Sequence, residues 1–130
     1  PLAAALANAE IVINLLPLTP TTHGLLDARL FAEMRRGASV VNLARGAHVV
    51  DADLMASLDC GHLHRAVLDV FHSEPLPAEH AFWRHPQVTV LPHVAALTDE
   101  RSAASVVAAN LHALACGAPL AHLVDRARGY

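Results

Sequence analysis

Four short apolar runs punctuate the chain, and the distances between them decide what it can fold into. Residues 10–18 (EIVINLLPL), 38–44 (ASVVNLA), 65–71 (RAVLDVF) and 87–91 (QVTVL) are rich in β-branched side chains and bounded by Gly, Pro or polar residues. Runs of this kind read as strands buried on both faces. None is joined to the next by a tight hairpin, and each gap is long enough for a crossover. The expectation is a parallel sheet containing residues 10–14, 39–42, 66–69 and 88–90.

Helical patterns fill the gaps. Residues 27–36 carry Leu30, Phe31 and Met34 on one face, with Gly37 placed as the residue that ends the helix. Residues 51–59 start at Asp51, an N-cap candidate, and align Leu54, Met55 and Leu58. The longest pattern, about 98 to 116, has Thr98 as its cap and an apolar stripe of Ala103, Val107, Leu111 and Leu114, stopped by Gly117 and Pro119. Strands alternating with helices imply βαβ units. Residues 72–86 form the one long irregular stretch, with a helical turn expected around 78–83 and Trp83 expected to anchor it by burying its ring. The chain opens PLAAALANAE, without methionine, and is expected to enter a strand almost at once, as in a sequence cut from something longer.

Composition narrows the function. The net charge is −3 with histidines neutral, and the nine basic residues are scattered arginines, which speaks against a nucleic-acid partner. No run of 18 apolar residues provides a membrane span, and no basic segment precedes an apolar one as a signal peptide would require. Cys60 and Cys116 fit no metal or redox spacing and read as reduced cysteines of a cytoplasmic protein. His62 with His64, and His80 with His85, lack the spacing of a zinc site, so no metal is expected.

In an open parallel sheet, ligands bind beyond the carboxyl ends of the strands. The polar residues that follow the four runs are Thr19, Thr21 and Thr22, then Arg45, then Glu74, then His93. An arginine, a carboxylate and a histidine therefore converge on one sheet edge. Arg45 offers a permanently charged planar fork suited to a carboxylate. His93 can hold a proton near neutral pH and pass it on, and Glu74 within reach would favour and orient the charged imidazole.

The stretches VVNLARGAHVVD (40–51), LDVFHSEPLP (68–77) and VTVLPHVAALT (88–98) resemble three successive signatures of the D-isomer-specific 2-hydroxyacid dehydrogenases. NLLPLTPTTHGLLD (14–27) is similar to a further segment of that family, and GAPLAHLVDRARGY (117–130) to the tail of its glyoxylate/hydroxypyruvate reductase A-like branch. The resemblance implies an α/β fold: the second half of a Rossmann-type doubly wound parallel sheet plus a C-terminal helix and tail. Residues 1–97 would be the C-terminal half of the NAD(P)-binding domain, and 98–130 the helix and tail that return to a substrate domain.

It also implies roles. Arg45 would bind and polarise a small 2-oxo acid, His93 would exchange the proton, and Glu74 would pair with His93. Asp69 would sit near the nicotinamide carboxamide, with Ala44 and Ala95 near the nicotinamide and Leu15, Pro17 and Thr22 along the adenosine. Arg45 and His93 would count among the cofactor contacts as well. The cofactor would be NAD or NADP, the partner a small 2-oxo or 2-hydroxy acid, and the assembly a homo-oligomer, typically a dimer.

The departures are equally specific. The glycines stand at 24, 37, 46, 61, 117 and 129, so the chain holds no GxGxxG loop to cradle a pyrophosphate at a helix N-terminus. By itself the chain is therefore expected to have little dehydrogenase activity. An inactive fragment serving as an assembly module, and a dehydrogenase-like regulatory protein such as the corepressor C-terminal binding proteins, remain as alternatives.

Overall fold

The computed structural model describes residues 2–130. The chain divides into two compact units, the first ending at Ala95 and the second spanning Ala96–Tyr130.

The first unit holds four strands, β1 (Ile11–Asn14), β2 (Ser39–Asn42), β3 (Arg65–Leu68) and β4 (Val88–Val90), in the order β1-β2-β3-β4. All three pairings are parallel, as the long connections require. Three helices accompany them: α1 (Leu2–Asn8), α2 (Ala28–Glu33) and α3 (Asp51–Asp59). Short 3-10 turns occupy Gly46–His48 and Ala81–Trp83. A sequential order with right-handed crossovers puts the connecting helices on one face of the sheet. The core forms there, from Leu6, Phe31, Met34, Val40, Leu54, Leu58, Leu63, Ala66 and Leu68.

The opposite face corrects the expectation of strands covered on both sides. Exposure alternates along β1 to β3, and Ile11 and Ile13 are 60% and 55% exposed. The runs look continuously apolar in sequence, but among the described residues of the first unit only one face has a partner.

Local chemistry adjusts several helix ends. Helix α1 was not anticipated, because a short alanine-rich segment with one buried residue, Leu6, carries almost no periodicity. Helix α2 is capped by the Asp27 carboxylate, which accepts from the Leu30 N–H at 2.9 Å. It ends at Glu33, short of Gly37, whose N–H instead donates to His62 O at 2.7 Å. The N-cap of α3 is Val50, so Asp51 lies in the first turn and does not cap it. In the second unit, α4 (Glu100–Ala115) is capped by Asp99, not Thr98, with the Asp99 carboxylate accepting from Ser102 N–H at 2.8 Å. Its Val107, Leu111 and Leu114 are exposed, and Asn110 exchanges two hydrogen bonds with the Ala121 backbone, folding the tail back along the helix. No helix among the described residues is long and apolar enough to cross a membrane.

Candidate active site

The register aligns Asn14, Asn42, Leu68 and Val90, the last residues of the four strands, in a single row. Everything that follows them leaves the same edge of the sheet. Arg45, Asp69, Glu74, His93, Ala44, Ala95, Leu15, Pro17 and Thr22 all lie beyond that edge.

Two buried asparagines shape the turn that carries Arg45. Asn42, fully buried, accepts from Asn14 Nδ2 at 2.9 Å and from Ala44 N–H at 3.2 Å, and its own amide donates to Arg45 O at 2.9 Å. His48 is also fully buried, with Nδ1 3.0 Å from Arg45 O. The Arg45 carbonyl is thus held from below while the guanidinium stays exposed, one of its N–H groups donating to Ala44 O at 2.6 Å. Gly46 is required for a different reason: a Cβ there would run into the Phe71 carbonyl and the His72 nitrogen. That close approach seats the Arg45 turn directly on the start of the 71–80 loop.

Glu74 sits in that loop. Its Oε1 accepts from Phe71 N–H at 2.9 Å, and its Oε2 lies 2.7 Å from His93 Nδ1. The Phe71 N–H, then the His93 hydrogen bond, hold the Glu74 carboxyl below the usual 4.5; burial opposes them, and the charges of His93 and Arg45 add smaller downward pulls. With Nδ1–H committed to the carboxylate, His93 Nε2 is the ring nitrogen left for other partners.

His93 has φ +56°, a left-handed conformation that costs a non-glycine residue about 1–2 kcal/mol. Asp69, fully buried at the end of β3, holds it there: its two oxygens accept from Val94 N–H and Ala95 N–H, each at 2.9 Å. Both Asp69 oxygens thus hold the backbone of the His93 turn, at the strand end where the sequence places this residue.

A cavity of about 680 Å³ opens beside the pair, lined by Phe71, Leu76, Trp83 and Leu91 together with Glu74 and His93. Trp83 corrects the expectation of a buried anchor. The residue is 52% exposed and forms part of the cavity wall, while Nε1–H donates to Pro77 O at 2.9 Å. The buried aromatic of this turn is Phe82, packed on the His80 ring at 4.5 Å.

At the far end of the edge, Leu15 is 69% exposed and Pro17 is exposed. The Thr22 hydroxyl donates to Pro17 O and accepts from Thr19 N–H, both at 2.8 Å, bracing the turn after β1. Three strand spacings separate this end from β4, roughly 14 Å. Ala44 is buried and Ala95 exposed. Sequence reasoning missed Asn42 and His48; the available signal for Asn42 was an amide interrupting an apolar run. Among the described residues, no group of three or more His, Cys, Asp or Glu is arranged to hold a metal ion.

A parallel α/β half-sheet with an arginine and a carboxylate–imidazole pair at its carboxyl edge is the architecture of a dinucleotide-binding domain that also carries acid–base groups. Residues 1–95 match the D-isomer specific 2-hydroxyacid dehydrogenase, NAD binding domain. The chain belongs to that family. It is 51% identical over 98% of its length to glyoxylate/hydroxypyruvate reductase A of Serratia proteamaculans, of which it spans 41%. Among solved structures it resembles the D-isomer specific 2-hydroxyacid dehydrogenase of Xanthobacter autotrophicus in complex with NADPH and MES (TM-score 0.95, 43% identity, 99% of this chain and 53% of that one). The NADPH-dependent glyoxylate/hydroxypyruvate reductase of Sinorhizobium meliloti, in complex with NADP and sulfate, is similar at TM-score 0.93 and 42% identity, over 99% of this chain and 42% of that one.

Proposed function

We propose that the enzyme built around this chain reduces a small 2-oxo acid, of the glyoxylate or hydroxypyruvate type, to the D-2-hydroxy acid. The observation that carries the proposal is the 2.7 Å contact between Glu74 Oε2 and His93 Nδ1 on the sheet edge that also bears Arg45. Arg45 binds the acid through its carboxylate and draws electron density from the 2-oxo group. Glu74 orients the imidazole and stabilises its charged form, so that Nε2–H is the proton handed to the developing alkoxide. Arg45 also fixes the carbonyl in one orientation, where a small misplacement is expensive in rate.

The residues fit a nicotinamide cofactor: exposed Leu15 and Pro17 give flat rings an apolar wall at one end of the edge, and the short side chains of Ala44, after β2, and Ala95, after β4, leave room along the rest of it. When bound, that cofactor supplies the hydride. The relatives crystallised with NADPH and NADP favour the phosphorylated form, with NAD as the alternative. Residues 1–97 serve as half of the cofactor domain, and 98–130 as a helix and tail directed to a substrate domain. Two free, exposed cysteines suit the cytoplasm. A homo-oligomer is the proposed assembly.

Steady-state kinetics on the full-length enzyme test the roles. His93→Ala is expected to lower kcat about 10²–10⁴-fold with cofactor binding retained. Arg45→Ala is expected to raise KM for the oxo acid as well as to lower kcat, because the guanidinium contacts ground state and transition state alike. Wild-type kinetics in both variants would overturn the assignment. The 130-residue chain alone, which has no GxGxxG loop, is expected to show little turnover with NADH or NADPH.

A further inference from the structure

Outside the acid–base pair, a second cluster of titratable side chains lies at the start of α3. His72 Nε2 is 3.5 Å from Asp51 Oδ1, and His80 Nε2 is 3.5 Å from Asp51 Oδ2. One carboxylate thus faces two imidazoles, one from each end of the loop that carries Glu74.

The tautomers follow from the other partners. His80 Nδ1 accepts from Phe82 N–H at 3.3 Å, so its Nε2 carries the hydrogen and points it at Asp51. His72 Nε2 lies 2.8 Å from Val49 O, which requires a hydrogen there, donated to that carbonyl, with Asp51 Oδ1 3.5 Å from the same nitrogen. His80 therefore presents an N–H to the carboxylate without needing an extra proton, and His72 is tied to the Val49 carbonyl with the carboxylate close beside it. The contact with Gly46 adds a third hold on the same loop, at Phe71 and His72. Segment 46–51 begins next to Arg45, and segment 72–80 contains Glu74. Whatever locks these two segments together fixes the arginine relative to the acid–base pair.

We infer that Asp51, through His72 and His80, is a positioning residue that clasps the Glu74 loop onto the Arg45 turn and so sets the geometry of the Glu74–His93 pair. This rests on the reading of that pair given above. The titratable or charged groups facing Asp51 are His72 and His80, and those facing Glu74 are His93 and Arg45.

Burial works against a charge at this place. Burial pushes the Asp51 carboxyl up from its ordinary value, and the two histidines pull it back without cancelling the effect. A carboxyl raised in the folded state opposes folding once pH exceeds its unfolded value, and Asp51→Asn removes that opposition. Stability and loop geometry are thus expected to respond differently to one substitution.

The test follows the Glu74 carboxyl by 13C NMR titration in the 130-residue chain, beside its thermal midpoint. In the wild type the Glu74 midpoint lies below 4.5. In Asp51→Asn it is expected to rise toward 4.5 as the loop relaxes and the Phe71 N–H bond is lost, while the thermal midpoint is unchanged or raised. An unshifted Glu74 midpoint in the folded variant overturns the clasp. Should Asp51→Asn unfold the chain, His80→Ala frees only the far end of the loop and must shift Glu74 in the same direction, or the clasp is again overturned. His93→Ala is the separate control: if it leaves Glu74 unmoved, the acid–base reading fails, whatever Asp51 does.

Discussion

A carboxylate that accepts a backbone N–H and an imidazole N–H together resists protonation, and Glu74 does both. Its folded pKa lies below 4.5, so its contribution to stability is fully present above 4.5 and is lost as pH falls through the lower folded value. Thermal melts of wild type and Glu74→Gln should therefore differ by at most a few degrees above pH 4.5 and converge in acid. A difference that grows on acidification would contradict the pairing. At this scale Arg45 and His93 were legible because each stands three residues after a strand, and Glu74 because it lies in the loop that leaves β3 at the same edge. Asn42, His48 and Asp51 were not. Their meaning lies in partners distant in sequence, and a buried amide or imidazole does not announce which carbonyl it holds. Trp83 misled for the same reason: its size argues for burial, while its position at the cavity rim is a matter of tertiary packing.

Among the elements, the turn after β4 depends most on a single side chain. Asp69 uses both oxygens to hold Val94 and Ala95 N–H, with His93 in a left-handed conformation beside them. Asp69→Asn leaves one acceptor and turns an amide N–H toward a backbone N–H. The cost is expected to be about 1–3 kcal/mol in urea denaturation, with a broadened or shifted His93 resonance as the turn relaxes. A loss of only a few tenths would mean that the turn is held elsewhere. Strand positions were readable because β-branched runs and long gaps leave few alternatives. Helix ends were less so. Asp99 outcompetes Thr98 as a cap because its carboxylate reaches Ser102 N–H, and Val50 precedes α3 without any capping side chain. Such choices turn on backbone dihedrals that neighbouring residue types do not fix.

For the whole molecule, the edge strand decides behaviour in solution. β1 is last in the sheet, with Ile11 and Ile13 exposed, and has neither lysine nor proline to discourage pairing. Sedimentation at micromolar concentration is expected to find the 130-residue chain associated, and Ile13→Lys to shift it toward monomer. A well-behaved wild-type monomer would refute the argument. The order β1-β2-β3-β4, parallel throughout, contains no hairpin. Every strand pair must therefore wait for a whole crossover to close before its first hydrogen bond forms, and local contacts cannot zip the sheet from a turn. Refolding should accordingly be slow for a chain of this size and start from helix–strand docking around the centre of the sheet. During that interval the unpaired strands are open to one another between molecules, so recovery from denaturant should fall as protein concentration rises.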